Sequence, residues 1–381
     1  MKILHTADWH VGKTLRGRSR AEEHRAVLEE MAETAEGEQV DLVLVAGDLF
    51  DSAAPSPEAE GIVYRALLDL AETGAQVVVV AGNHDNPRRL QAVAPLLDLG
   101  RVVVASFLKR ADEGGVVKVD TRSGETAQLA LLPFLSQRYV VRADDLMGLD
   151  PDQHAQKYAG RVRLILGELT GGFGADTVNL VVSHTTVAGG RSGGGERSAH
   201  TIFDYQVPAS AFSGPIHYVA LGHLHRRQRI PGSCPIWYSG SPLQLDFGEV
   251  EDHKSVLLVE ASAGKPAEVR ALPLRAGRRL RTISGSLQHL QDLAGTTGDD
   301  YLKVVVHQQP RPGLGEQVRE MFPEAVDVVV AASERGQVPK GPRRSGLDRP
   351  PRELFSEYLA ERDALDERLV ALFDELLDEA S

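Results

Sequence analysis

Along residues 1–260, short runs of Val, Leu, Ile and Ala alternate with longer stretches of mixed polarity. The runs fall at residues 3–7, 42–46, 77–81, 102–105, 129–132, 180–182, 218–221 and 256–259. None alternates strictly between apolar and polar, as a strand with one wet face would. Continuous runs of this length suit strands covered on both faces. Between the first runs, residues 20–36 and 57–73 place apolar side chains at helical spacing. The pattern predicts a layered α/β sandwich built on a parallel sheet with crossover helices.

Beyond this body the pattern changes. Residues 279–284, 302–307 and 326–330 read as strands, and 286–294 and 314–321 as helices, which predicts a smaller α+β unit over 278–331. Residues 332–351 are rich in Gly, Pro and Arg and read as a linker. From Arg352 the chain reads as helical, and Leu365, Leu369, Leu372, Phe373 and Leu376 share one face opposite an acidic one. An apolar stripe beyond a linker needs a partner to bury it. Residues 189–195, GGRSGGG, read as a mobile surface loop. The expected division is 1–265, 278–331, a linker at 332–351, and a helical partner-binding segment at 352–381.

Composition narrows the class. Of 381 residues, 42% are hydrophobic and 25% charged, as in a water-soluble globular protein. The opening MKILHTADWH has no apolar leader core, and no run approaches a membrane span. The single cysteine, Cys234, rules out an internal disulfide and points to the cytoplasm. A net charge of -12 alone argues against nucleic acid. Its distribution does not: Lys13, Arg16, Arg18, Arg20 and Arg25 cluster, as do Arg88 with Arg89 and Arg226 with Arg227.

The decisive feature is the set of residues at the ends of the apolar runs. The first leads into Asp8-Trp9-His10, the second into Gly47-Asp48, and the third into Gly82-Asn83-His84-Asp85. Later runs lead into Ser183-His184 and Gly222-His223-Leu224-His225. In an open α/β sheet the ligand crevice lies beyond the carboxyl ends of the strands. Carboxylates, imidazoles and an amide would meet there, a donor set for divalent cations.

These segments resemble a known family. LHTADWHVGK, VAGDLFD, VAGNHD, VSHT and LGHLH together look like the metallophosphoesterase signature. The opening segment, LGHLH followed by YSGSP, and PRELFSEYL in the tail resemble the SbcD type of DNA repair nuclease. The resemblance implies a calcineurin-like fold and a metal-dependent exonuclease or endonuclease acting at DNA ends or hairpins. It implies Asp8, His10 and His225 on one metal, Asn83, His184 and His223 on another, and Asp48 bridging both. The mixed oxygen and nitrogen donors suit manganese, with iron or zinc as alternatives. His84 would assist departure of the leaving oxygen, with the Asp51 carboxylate orienting it.

The basic clusters, Arg16, Arg18, Arg20, Arg88, Arg89, Arg226 and Arg227, would contact DNA phosphates. The unit at 278–331 resembles the family's capping domain. The C-terminal stripe resembles the segment that binds the coiled coil of the ATPase SbcC. The chain has no phosphate-binding loop of its own, so ATP binding belongs to that partner. A homodimer within a heterotetramer, associated with the nucleoid, is the implied assembly. The rival expectation is the same chemistry on small phosphodiesters or phosphomonoesters.

Overall fold

In the computed structural model, residues 1–136, 151–196 and 206–331 are described, with positions 355, 359, 368–370, 372 and 373 of the tail; side chains at 151–155 and 157 are excepted. Residues 1–332 form one contact unit and 333–381 another.

The chain opens with β1 (Lys2–Thr6), a small hairpin β2 (Thr14–Leu15) and β3 (Arg18–Ser19), and α1 (Ala21–Gly37). Then come β4 (Leu42–Val45), α2 (Pro57–Glu72), β5 (Gln76–Val80), α3 (Pro87–Leu99) and β6 (Val102–Ala105). Next are β7 (Val116–Asp120), β8 (Thr126–Leu132), α4 (Pro151–Thr170), β9 (Val178–His184) and β10 (Tyr218–Gly222). Short β11 (Gln228–Ile230) and β12 (Ile236–Tyr238) precede the long hairpin β13 (Ser255–Ser262) and β14 (Lys265–Pro273).

Helix starts follow local chemistry. Ser56 caps α2 by accepting from Ala59 N, and Asn86 caps α3 by accepting from Arg88 N and Arg89 N. Each helix then begins with proline, whose missing N–H costs nothing in a first turn.

The apolar runs form two six-stranded sheets where the sequence suggested one. Their orders are β14-β13-β1-β4-β5-β6 and β11-β12-β10-β9-β8-β7. Both are parallel in the middle; β13–β14, β11 and β7 add antiparallel edges. Periodicity reports that a strand is covered, not which sheet covers it. Side chains such as Leu44, Val78, Val80, Leu129, Val182 and Leu257 fill the space between the sheets. On the outer face of the first sheet, Val27, Met31, Val63 and Leu67 of α1 and α2 meet Val43, Val45 and Val77. On the second, Tyr158, Val162 and Leu166 of α4 meet Val181, Val219 and Leu221. Four layers result, and the central strands are buried on both faces, which is why their sequences do not alternate. Each fully buried Val or Leu contributes roughly 1.5–3 kcal/mol, so this double cover is the main stabilisation of the body.

The smaller unit comprises β15 (Leu280–Gly285), α5 (Leu287–Leu293), β16 (Tyr301–His307), α6 (Leu314–Met321) and β17 (Ala325–Ala331). Its three strands pair in parallel, with a helix in each connection. Its elements therefore alternate as in α/β units, where an α+β arrangement was expected. Leu290, Leu302, Val304, Val306, Leu314 and Val318 form its core. It sits against the body through Leu15, Phe247, Leu280 and Tyr301.

In the tail, the Phe355 and Phe373 rings stack with centroids 4.2 Å apart. Val370 is buried while Leu369 and Leu372 are exposed. Phe373 stacks on Phe355, and Leu369 and Leu372 are the exposed part of the expected stripe among the described residues. Leu365, Leu376 and the expected linker lie outside the described residues. Among the described residues no helix is long and apolar enough to cross a membrane.

Candidate metal centre

The carboxyl ends of β1, β4, β5, β9 and β10 meet at one edge of the sandwich, because within each sheet these strands run parallel. The two sheets touch there: His184 Nδ1 lies 2.8 Å from the Ala46 carbonyl oxygen. Glycine is required where the tips pass. A Cβ on Gly222 would sit 1.9 Å from Ala46 O, and one on Gly82 would sit 2.1 Å from Asp48 Oδ1.

Asp8, His10, Asp48, Asn83, His184, His223 and His225 all converge at this edge. One cluster is Asp8, His10 and His225, a second is Asp48, His184 and His223, and a third joins His10, Asp48 and His84. His10 Nε2 and His184 Nε2 lie 3.5 and 3.4 Å from Asp48 Oδ2, placing Asp48 between the two sets. Asn83 Oδ1 lies 2.9 Å from His184 Nε2 and 2.8 Å from His223 Nδ1. His10 Nε2 and His225 Nε2 face each other at 3.1 Å.

This is an unusual way to bury polar groups. Ring nitrogens face ring nitrogens, His10 Nε2 against His225 Nε2 at 3.1 Å and His184 Nε2 against His223 Nδ1 at 3.3 Å, beside buried carboxylates. Such lone pairs are satisfied together by a cation at their centre. The residues therefore fit divalent metal ions.

The backbone is bent to achieve it. Asp8, His10, Asp48 and His223 hold φ of 55, 47, 53 and 104°, a region that side-chain-bearing residues rarely occupy. Each costs of the order of 1–3 kcal/mol. The surroundings hold the bends in place: Asp8 N donates to Gly47 O and His10 N to Asp48 O. His223 N donates to the Asp8 carboxylate at 2.9 Å, and His84 N donates to Asp48 Oδ1 at 2.8 Å. Asp85 accepts from Phe50 N and Gly82 N, tying two tips together.

Proton affinities reflect this crowding. Burial pushes the Asp8 carboxyl up to about 7 and holds the His10 imidazole down at about 4. Burial opposes charge at Asp48 and His184 as well, but their mutual attraction wins. It raises His184 to about 9 and holds the Asp48 carboxyl well below the usual carboxylate range.

Asp51 and His84 meet differently from the expectation. His84 Nδ1 donates to the main-chain carbonyl of Asp51 at 2.8 Å. The Asp51 carboxylate turns to Lys13 Nζ, at 3.2 Å, and to His10 Nδ1, at 3.5 Å. A lysine and a second imidazole on the first loop compete for that charge and draw it from His84. Asp51 thus orients His84 through its backbone and backs His10 through its side chain.

The basic clusters divide. Arg20 is 2% exposed, with Nη2 on Glu23 at 2.7 Å and Nη1 on the Gln244 carbonyl, so it cannot reach DNA. Arg18 pairs with Glu324, and Arg16 with Asp327, both in the smaller unit. Arg16 and Arg18 thus seat that unit rather than line a groove, while Arg20 is tied within the body. Arg226 pairs with Asp252, and Arg227 donates to Ser255 Oγ. Arg89 pairs with Glu60. Arg88, exposed at the start of α3, makes no ion pair among the described residues.

Some neighbours of the site left no sequence signal. Glu249 is fully buried and receives His225 Nδ1 at 3.0 Å and Lys254 Nζ at 2.7 Å. Burial disfavours its charge, yet Lys254 and His225 hold its carboxyl down at about 2. Glu196 accepts from His225 N, Gly193 N and Gly194 N, so the glycine-rich segment is pinned against the site instead of hanging free. Phe134 stacks on His223 with ring planes 22° apart. Only YSGSP, a likeness with no role attached, hinted at this layer: Ser241 N donates to His225 O.

Residues 1–227 match the family model described as calcineurin-like phosphoesterase. Residues 276–363 match the model described as type 5 capsule protein repressor C-terminal domain. The chain is 37% identical over 284 residues to the SbcD subunit of the SbcCD nuclease of Bacillus subtilis, covering 74% of this chain and 71% of that protein. It is 37% identical over 315 residues to the protein of the same name from Rhodobacter capsulatus, covering 76% of each. With the Escherichia coli K12 protein of that name it shares 33% identity over 301 residues, 75% of this chain and 72% of the other.

Proposed function

Because the chain belongs to the calcineurin-like phosphoesterases, and within them to the SbcD nucleases, we propose that it is the metal-dependent nuclease subunit of an SbcCD-type complex. It is a hydrolase that cuts phosphodiester bonds of DNA. The observation that carries this reading is the mutual approach of buried donors around Asp48. Asp8, His10 and His225 would hold one ion and Asn83, His184 and His223 the other, with Asp48 shared. The donors favour manganese, and also admit iron or zinc. When bound, the ions activate water and offset charge on the phosphate.

The chain's own residues do the rest. His84 keeps its Nδ1 proton on the Asp51 carbonyl, which fixes the ring; acting as the imidazolium, it would pass its Nε2 proton to the departing sugar oxygen and be left neutral. Phe134, over His223, keeps water from that flank. Arg88, exposed at the start of α3 four residues after His84, would hold a DNA phosphate. Residues 1–265 are the nuclease domain and 278–331 a cap.

For assembly, Leu369 and Leu372, 44% and 49% exposed, support docking of the tail on a partner of the SbcC kind. Leu96 and Leu99 on α3, 70% and 85% exposed, support a homodimer through that helix. Truncation at Gly346 should preserve nuclease activity and end co-purification with the ATPase.

The test of the activity is Mn²⁺-dependent cleavage of end-labelled linear duplex DNA, run beside hydrolysis of a small phosphodiester. Rapid DNA cleavage is expected. Turnover of the small ester with intact DNA would overturn the nuclease reading and favour a small-substrate phosphodiesterase.

A further inference from the structure

Behind His225 lies a buried charge relay that the proposed reaction does not use. Glu249 Oε1 accepts from His225 Nδ1 at 3.0 Å. Its other oxygen, Oε2, receives Lys254 Nζ at 2.7 Å and Leu245 N at 3.0 Å. Lys254 Nζ also donates to Ser241 Oγ at 2.9 Å and to His225 O at 3.2 Å. Glu249 is 0% exposed. Two charges buried this way are costly unless the geometry uses them, so a purely structural role is poorly served by them.

The geometry sets the tautomer. With Nδ1–H given to a carboxylate, the His225 lone pair sits on Nε2, which faces His10 Nε2 at 3.1 Å. An imidazole backed by a carboxylate is a stronger and better-aimed metal donor than one turned to water. The other histidines of the centre are backed differently. His184 Nδ1 lies on the Ala46 carbonyl, and His10 Nδ1 is 3.5 Å from the half-buried Asp51 carboxylate. His225 therefore has a more strongly charged backing than His184 or His10.

The segment that carries Glu249 has a second face. Gln244 Oε1 accepts from Leu280 N at 2.7 Å, and Gln244 Nε2 donates to Glu249 O at 3.0 Å. Phe247 joins Leu280 and Tyr301 where the smaller unit sits. One short segment thus orients a ligand of the centre and seats the cap.

We infer that Glu249, held by Lys254, is a positioning residue that sets the affinity of the Asp8–His10–His225 half of the centre. This rests on the two-metal reading. Glu249→Gln keeps the size and loses the charge. Metal titration by calorimetry of the metal-free protein with Mn²⁺ is the readout, independent of turnover. Wild type should take up two equivalents. In Glu249→Gln one equivalent should weaken by about 10–100-fold, the usual effect of losing a carboxylate that backs a ligand, while the other is unchanged. Glu249→Asp should recover part of the loss.

Because Glu249→Gln strands the Lys254 charge, the double variant Glu249→Gln/Lys254→Met removes both charges and should show the same selective loss. Two equivalents at wild-type affinity in a folded variant, single or double, would overturn the inference and leave the two-metal reading standing. A wild-type chain that binds no metal would instead sink that reading itself.

Discussion

The tips around Asp48 and the basic stretch from Arg16 to Arg20 look alike in sequence, since both are dense clusters of polar, chargeable side chains. Their fates in the fold are opposite. In the basic stretch the protein supplies its own complement: Glu23 for Arg20, Glu324 for Arg18 and Asp327 for Arg16. At the tips donors face donors and the complement must come from outside. A charged cluster marks a ligand site when the chain leaves it unmatched, and a joint between parts when the chain matches it.

The sharpest way to break this contrast is to remove the residue common to both halves of the centre. Asp48→Asn should lower cleavage by more than ~10⁴-fold, because water activation and charge stabilisation fail together. Metal analysis should show less than the full content; full content with normal cleavage would sink the shared-ligand role.

Next in size is His84→Gln, expected to cost about 10²–10⁴-fold in kcat with metal content unchanged. Loss of metal from that variant would move His84 from proton transfer to metal holding.

On the matched side the effect should fall on stability instead. Arg20→Ala removes a buried guanidinium from the part-buried Glu23 and from the Gln244 carbonyl, and should cost about 3 kcal/mol in urea unfolding. Arg16→Ala, at a pair whose arginine is half exposed, should cost less than about 1 kcal/mol. Equal costs would erase the distinction between buried and surface joints.

Acid should weaken the body through histidines away from the centre. Burial holds His5 at about 3, and burial together with Arg20 holds His24 at about 4, below the ordinary 6.5. As pH falls below 6.5 the unfolded chain takes up these protons while the folded chain does not. Stability is thus full above pH 6.5 and declines from there towards pH 4. At pH 5 the loss should be about 2 kcal/mol for each histidine, measured by urea unfolding of the metal-free protein. Equal stability at pH 7 and pH 5 would refute the buried neutral state.

The smallest expected change is in DNA affinity. Arg88→Ala should reduce the slope of log K against log salt by about 1, and Arg18→Ala should leave it unchanged. A shift in the Arg18 variant would mean that its pair with Glu324 opens to DNA.

Much of this molecule was legible in its chain. Runs such as 42–46 and 77–81 became β4 and β5 within a residue, because double burial writes an apolar block that needs no knowledge of neighbours. The seven donors at the tips were legible because parallel strands deliver their next residues to one edge. Assignment of those runs to two sheets was not, since β1 and β10 carry the same signal.

What the amino-acid order settled by itself was local: which segments are strands, which side chains stand at their ends, and which chemistry those side chains allow. What only the tertiary structure decided was who meets whom. It gave the Asp51 carboxylate to Lys13 and His10, buried Arg20, brought Glu249 behind His225 from 24 residues away, and bent four donors into left-handed backbone. Spacing along a chain carries strand and helix periods, but a contact between distant side chains depends on where both backbones have been fixed, and no local pattern records that.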